Sequence, residues 1–392
     1  MKENSLSLHK KLRGKIEVKS RIKVKDARTL SLVYTPGVAD VCRAIQENEE
    51  LVFEYTNKWN SVAIVSDGSS ILGLGDIGPK ASLPVMEGKA ILFKELGCVD
   101  GIPLCVDVHR AEDIISLVQA LAPSFGGINL EDISSPKCFL VEQELRRTLD
   151  IPVFHDDQHG TAIAILAALR NALRIVKKDI KELKIVVLGI GAAGLATIKM
   201  LLTVGAENIV AVDRKGILSN RYPETLLNEF HVEIARVINP ENLIGQLDTA
   251  MRGADVFIGT SVANLVNEEM VRSMARDPVV FALANPVPEI MPERARAAGA
   301  TIVATGRSDY SNQINNVLVF PGVFRGALDV RAKDITENMK LAASIAIADT
   351  VGEDRLSIDY ILPSALDPAV ARRVANAVST AAIESKTARI SV

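Results

Sequence analysis

Residues 184–202, KIVVLGIGAAGLATIKMLL, run an apolar strand straight into a glycine turn and then an amphipathic helix. Gly189, Gly191 and Gly194 hold the G-x-G-x-x-G spacing, and Asp213 closes the next strand, IVAVD, about 20 residues beyond the turn. Glycines at those positions let the backbone turn tightly and approach a pyrophosphate, whose charge then rests against the helix N-terminus. A carboxylate at Asp213 is suited to the hydroxyls of an adenosine ribose. It favours NAD by repelling a 2′-phosphate, whereas Arg214 and Lys215 directly after it suit NADP, so both cofactors stay open. The segments ADVFIGT, VVFALANP, TIVATG and VLVFPG follow as short apolar strands ending in Gly, Asn or Pro. The pattern is that of a doubly wound sheet that binds ligands at the carboxyl ends of its strands. From about Ile335 onward the chain reads as helical and is expected to pack back on the body.

A single ordinary core does not accommodate 392 residues, so two domains are expected. In the first half, SVAIVSDGS (61–69) and GIPLCVDV (101–108) read as buried strands. LPVMEGKAILFKEL and EDIISLVQALAP read as helices between and after them. The fold class is therefore α/β. An N-terminal α/β catalytic and metal domain (1–160) precedes a Rossmann-type, doubly wound dinucleotide-binding domain (161–392) with C-terminal helices from about 335.

A net charge of −3 gives no basis for binding nucleic acid, and no long uncharged apolar run exists to span a membrane. The basic first 26 residues are interrupted by Glu3, Glu17 and Asp26 and lack a signal peptide's apolar run; they read as a surface or interface segment. Cys42, Cys98, Cys105 and Cys138 have no paired short spacing, which fits a reduced, cytoplasmic protein better than a disulfide or zinc framework.

FHDDQHGT (154–161) sets Asp156 and Asp157 between His155 and His159, and GGINLEDI supplies a second acidic pair, Glu131 and Asp132. Hard carboxylate oxygens select Mg²⁺ or Mn²⁺. Both pairs follow apolar segments and are expected at strand ends facing one cleft. Any one acidic pair is also an ordinary helix cap or solvent-facing group. Gly160 and the two aspartates read as a loop, so the histidine spacing need not mean shared ligation; hydrogen-bonding roles are favoured for both. YTPGVA exposes Tyr34 in a turn, and EGKA sets Lys89 near the start of a helix.

The ordered series YTPGVA, SDGSSILGLGDIG, EGKAILFK, NLEDI, HDDQHGTA, GIGAAG, FALANP and NQINNVLVFPG, from Tyr34 to Gly322, resembles the malic enzymes of the short bacterial type. The resemblance implies oxidative decarboxylation of (S)-malate to pyruvate and CO₂ with NAD or NADP and a divalent cation, in a homodimer whose Tyr34 segment reaches a neighbouring chain's cleft. It makes Lys89 the general base toward the C2 hydroxyl, Tyr34 the acid that protonates C3, and Asp156 the carboxylate that orients the lysine. Glu131, Asp132 and Asp157 become metal ligands. Thr161, Gly189, Gly191, Ala192, Ala193, Gly194, Asp213, Arg214 and Asn285 become cofactor contacts, and Asn315 and Asn316 substrate contacts. A lysine base needs a pKa brought well below about 10.4 by burial or a nearby cation, and a tyrosine acid is protonated at neutral pH with a free value of about 10. The chain departs from the larger relatives at Ser70, where they carry an arginine for the substrate carboxylate; Asn315, Asn316, Lys94 or a second chain is left to supply that contact. Two alternatives bear on the same cleft: malolactic or oxaloacetate-decarboxylating chemistry, which leaves little reduced nicotinamide, and a non-catalytic dinucleotide sensor. The sensor would be expected to lack Lys89, Tyr34 or a metal carboxylate, and all are present.

Overall fold

The computed structural model describes residues 4–391; the ends of the two expected spans, residues 1–3 (with Glu3) and 392, lie outside it. The chain begins with an arm of helices α1 (Ser5–Leu12), α2 (Ala27–Val33) and α3 (Val38–Glu47), none of which buries a residue. Local caps hold them: Asn4 accepts from the Ser7 N–H (2.9 Å) and Asp26 from the Thr29 N–H (2.7 Å). Lys15 ties the arm to the body, donating its N–H to Glu87 (3.0 Å) and its ammonium to the Pro84 carbonyl (2.6 Å).

Beyond the short α4 (Val52–Tyr55) the first α/β unit runs β1 (Ser61–Ser66), α5 (Gly78–Gly97), β2 (Asp100–Cys105), α6 (Ala111–Leu121), β3 (Gly127–Leu130), α7 (Lys137–Thr148) and β4 (Val153–His155). Its four strands are parallel in the order β2-β1-β3-β4. Three of them are buried or nearly so along their length, which is why their sequences are continuous apolar runs and not alternations.

Helix α8 (Asp156–Val176) leads to β5 (Lys184–Leu188), α9 (Ala192–Thr203), β6 (Asn208–Asp213), β7 (Gly216–Ile217), α10 (Glu229–Ile234), α11 (Leu247–Met251), β8 (Val256–Gly259), α12 (Glu268–Arg272), β9 (Val279–Ala282), α13 (Pro292–Ala297) and β10 (Ile302–Thr305). The second sheet has the order β10-β9-β8-β5-β6-β7, parallel except at β7. After β5 the chain steps first to β6 on one side and later to β8 on the other, so a crevice opens where β5 and β8 end.

Three local expectations need correction. FHDDQHGT is not a loop. β4 ends at His155 and α8 starts at once, with Asp156 and Asp157 in its first turn, where carboxylates meet the positive end of the helix dipole. Gly160 is helical; a Cβ there would collide with Asp156 Oδ1 and come within 3.1 Å of Asn316 Cβ. Residue 160 therefore falls inside α8. Lys89 lies in mid-helix, because α5 starts at Gly78 and continues through Pro84 to bury Ser82, Met86, Lys89, Ala90 and Phe93 on one face. VLVFPG is not a strand: a short turn capped by Asn315 passes into α14 (Phe320–Asp329), with Pro321 in its first turn.

Helices α15 (Glu337–Ala348) and α16 (Pro368–Glu384) complete the chain. The C-terminal helices pack on the first unit. Phe93 of α5 meets Phe320 (ring centroids 4.6 Å) and Phe324 (5.4 Å) of α14, and Phe154 of β4 meets Phe324 (5.9 Å). Asn171 of α8 donates to the carbonyls of Ala348 and Ile361, both at 2.9 Å, fixing α8 against α15. Among the described residues no helix is long and apolar enough to cross a membrane.

Candidate active site

Strands β3 and β4 are paired with Leu130 opposite His155, so Glu131 and Asp156 leave adjacent strands side by side at the carboxyl edge. The buried face of α5 brings Lys89 between them. Its ammonium donates to Glu131 Oε1 (2.9 Å), pairs with Asp156 Oδ2 and itself lies 3.9 Å from the centre of the Phe320 ring. Lys89 is 7% exposed and Asp156 is fully buried. Burial alone would lower the Lys89 pKa, but Asp156 and Glu131 outweigh it and raise the value above that of a free lysine. The expected depression is therefore absent from the chain by itself, for a physical reason: the lysine sits on two anions.

Those anions are part of a larger set. Asp157 Oδ2 accepts from the Asp132 N–H (2.7 Å), and Asn129 donates to Glu131 Oε2 (2.9 Å). Asp132 adopts a left-handed backbone, φ 54°, a conformation Asp tolerates better than most residues. Burial, with Asp157 and Glu131 close by, pushes its carboxyl up to about 9. Burial likewise raises Glu131 and Asp157. Glu131, Asp132, Asp156 and Asp157 thus share one ammonium, and the buried Asp156 Oδ1 has no hydrogen-bond partner. Surplus negative charge on hard oxygen donors fits Mg²⁺ or Mn²⁺. Among the described residues no three such donors already stand as a finished cage.

His155 is wholly buried, with Nδ1 3.8 Å from Asp157 Oδ2. His159 bonds instead to Glu142 of α7 through Nε2 (2.9 Å) and to Lys340 of α15 through Nδ1 (3.0 Å).

The glycine loop sits at the crevice of the second sheet. Gly189 has φ 88°, and a Cβ on it would meet the Thr260 carbonyl oxygen at 2.7 Å and Ser261 Cβ at 2.8 Å. A Cβ on Gly194 would run into the Gly189 carbonyl, whereas one on Gly191 would meet nothing within 4 Å. Gly191 supplies no side-chain cap to α9, so the first-turn N–H groups at Ala192, Ala193 and Gly194 face that open space, as a pyrophosphate requires. Asp213 accepts from the Ile190 N–H (3.3 Å) and the Arg214 N–H (2.6 Å), which holds its carboxylate against the loop; Arg214 and Lys215 are exposed.

The two halves meet around Asn285. A Cβ on Gly73, in the ILGLG loop after β1, would lie 2.7 Å from the Asn285 carbonyl oxygen, and one on Gly306 would lie 2.6 Å from Asn285 Nδ2. Asn316 abuts Gly160 beside Asp156, Asn315 caps the turn before α14, accepting from the Val317 N–H (2.9 Å), and Thr161 is half-buried on α8. Ser70 is exposed and donates its N–H to the Asp132 carbonyl (3.0 Å). Lys94 turns away to Asp100 (2.7 Å), so it does not stand in for the arginine missing at Ser70. Tyr34 is 68% exposed on the arm and makes no hydrogen bond with the Lys89 cluster.

Sequence reasoning passed over Phe320, which roofs Lys89, and Glu289. Fully buried, Glu289 accepts from the N–H groups of Ser261 (2.9 Å) and Ala284 (3.0 Å), pinning the loops after β8 and β9. A lone acid in the apolar run NPVPEIM was the available signal.

Residues 13–146 match the family described as malic enzyme, N-terminal domain, and residues 158–383 that described as malic enzyme, NAD binding domain. The chain is 56% identical over 376 residues to the NAD-dependent malic enzyme of Geobacillus stearothermophilus, covering 96% of this chain and 78% of that protein. It is 52% identical over 392 residues to the bifunctional malic/malolactic enzyme of Bacillus subtilis strain 168, covering 100% of this chain and 95% of that one. The crystal structure of the NAD-dependent malic enzyme of Thermotoga maritima superposes with a TM-score of 0.94 at 54% identity, across 96% of this chain and 99% of that one.

Proposed function

We propose, for a chain that belongs to the malic enzyme family, that the oxidative decarboxylation of malate runs on Lys89, Tyr34 and the four-carboxylate cluster. The enzyme is an NAD(P)-dependent oxidoreductase. The observation that carries the site assignment is Lys89, buried between Asp156, Glu131 and the Phe320 ring where the loops of both sheets converge. We assign the carboxylate chemistry to residues 1–160 and dinucleotide binding to 161–392.

Lys89 Nζ takes the proton of the malate C2 hydroxyl as hydride leaves C2 for the nicotinamide, and Asp156 Oδ2 orients the lysine and relays its proton. Glu131, Asp132 and Asp157 hold the cation. When bound, a hard divalent cation polarises the malate C2 oxygen and offsets the negative charge that keeps Lys89 protonated. Tyr34 delivers a proton to C3 of the enolpyruvate left when C4 departs as CO₂. Asn285 lies by the nicotinamide and Asn316 holds a substrate carboxylate. The burial of Lys89 and Asp156 excludes water that would otherwise compete for both protons.

The cofactor we assign is NAD, because the fixed Asp213 carboxylate occupies the ground a 2′-phosphate would need. Following reduced nicotinamide with malate, each dinucleotide and each of Mg²⁺ and Mn²⁺ tests this. NAD⁺ is expected to be preferred, and Asp213→Ser to narrow the preference by about tenfold, the equivalent of ~1.4 kcal/mol of relieved repulsion. Lactate formed without net reduced nicotinamide would favour the malolactic reading, which the bifunctional relative keeps in play.

Asp157→Ala should weaken Mn²⁺ binding by more than about 100-fold, since loss of an outer partner alone costs 10- to 100-fold. An unchanged metal titration would remove Asp157 from the ligand set.

The working form we propose is a homodimer. An arm without a buried residue, carrying Leu30, Leu32, Val33 and Tyr34 exposed in near succession, suits a cover supplied by a second copy. The unpaired thiols of Cys42 and Cys98, both exposed, support a reducing compartment, the cytoplasm.

A further inference from the structure

The corner between β4 and α8 carries both aspartates of the site, yet it is not capped by its own residues: His155, the residue before α8, makes no side-chain hydrogen bond to the helix. Glu142 of α7 does that work from outside. Its carboxylate accepts the backbone N–H of His155 (3.2 Å) and the Nε2–H of His159 (2.8 Å to Oε1, 2.9 Å to Oε2). One side chain therefore grips the residue just before Asp156 and the residue two places after Asp157.

The grip has a defined polarity. Lys340 of α15 lies against the His159 ring, 3.0 Å from Nδ1 and 3.4 Å from Nε2, and 2.8 Å from Glu337. A carboxylate can only accept, so the proton of the neutral ring lies on Nε2, facing Glu142, and the ammonium beside the ring disfavours a second one. Burial alone would raise the Glu142 pKa; His159 and then Lys340 more than offset it and hold the carboxyl far below its ordinary value. Glu142 is 6% exposed and Lys340 1%, so water does not compete for either. A full carboxylate at the start of α8 is also favoured by the helix dipole.

We propose that Glu142, through its bonds to His155 and His159, is a positioning residue that fixes the orientation of Asp156 and Asp157 for the divalent cation and for Lys89. The inference rests on the reading of Asp157 as a metal ligand. α15, remote in sequence, thereby brings a buried cation against the histidine.

The test is direct Mn²⁺ binding to the full-length, metal-free enzyme, read from the electron paramagnetic resonance of free Mn²⁺, alongside thermal unfolding. Glu142→Gln keeps one neutral oxygen for the His155 N–H but removes the charge and sets an amide N–H group where Oε2 now faces His159 Nε2–H; Glu142→Ala removes both contacts. Each should raise the Mn²⁺ Kd by about 10- to 100-fold, the usual effect of losing a partner behind a ligand. Asn171→Ala is the control, since it strips two buried hydrogen bonds between α8 and the chain around α15 without touching the corner. It should lower the unfolding temperature and leave the Kd unchanged. An unaltered Kd in Glu142→Gln, or an equal rise in Asn171→Ala, overturns the positioning role. Should Asp157→Ala itself leave Mn²⁺ binding intact, the ligand reading fails and takes the inference with it. A weakened Asp157→Ala beside an unaffected Glu142→Gln sinks the positioning role alone.

Discussion

Replacing Lys89 by arginine is expected to lower malate oxidation by about 10²- to 10⁴-fold, the range contributed by a general base, while NAD⁺ still binds. Arginine is the sharper variant because it keeps a cation on Asp156 and Glu131 but cannot give up its proton in a protein. Lys89→Ala should be as inactive and, in addition, less stable, since it leaves two buried carboxylates without their ammonium. That loss of stability carries a pH signature. The buried carboxyls have folded-state pKa values raised above their unfolded ones, Asp132 from 3.8 to about 9. A raised acid contributes stability that is complete below its unfolded value and is lost as pH climbs through the folded value. Metal-free Lys89→Ala should therefore lose unfolding temperature more steeply than the parent as pH rises across that interval, and added Mn²⁺ should recover part of it. Full turnover in Lys89→Arg would remove the lysine as base.

The strands of both sheets could be read in the sequence because parallel strands buried on both faces leave unbroken apolar runs, as in VVFA and IVAT. The same signal misled at VLVFPG: buried apolar residues fit a helix packed on α16 as well as a strand, and only Pro321 hinted at a helix start. At FHDDQHGT the glycine read as a breaker, yet Gly160 is small because Asp156 and Asn316 close in on it. Contacts that cross from one end of the chain to the other left no local pattern. Lys340 sits in an alanine-rich helix, and nothing near it in sequence announces His159. Phe320 over Lys89 is hidden for the same reason, as is the effect of two carboxylates on the lysine's proton. Motifs exposed which residue types were present for the chemistry. The charge balance among them required the fold.

Neither Tyr34→Phe nor Lys89→Arg should be active alone, and mixing the two after subunit exchange should restore about one quarter of the parent activity if the tyrosine works across a two-fold dimer. The arithmetic follows from the geometry. Tyr34 is 68% exposed on an arm with no buried residue, whereas Lys89, 7% exposed, is sealed within its own chain. In a mixed dimer the Tyr34→Phe chain offers an intact Lys89 pocket, and its partner offers an intact tyrosine. That one site is complete, while the other carries both defects. Random exchange makes about half of the dimers mixed, with one of two sites working in each. Were each chain to use its own tyrosine, every site in the mixed dimer would hold one defect and mixing would restore nothing. The phenylalanine keeps the ring and removes only the donor, so the arm still docks and the loss in Tyr34→Phe, about 10²- to 10⁴-fold for a general acid, reports the proton alone. Pyruvate formation on mixing, set against the two variants assayed apart, separates the arrangements in one measurement.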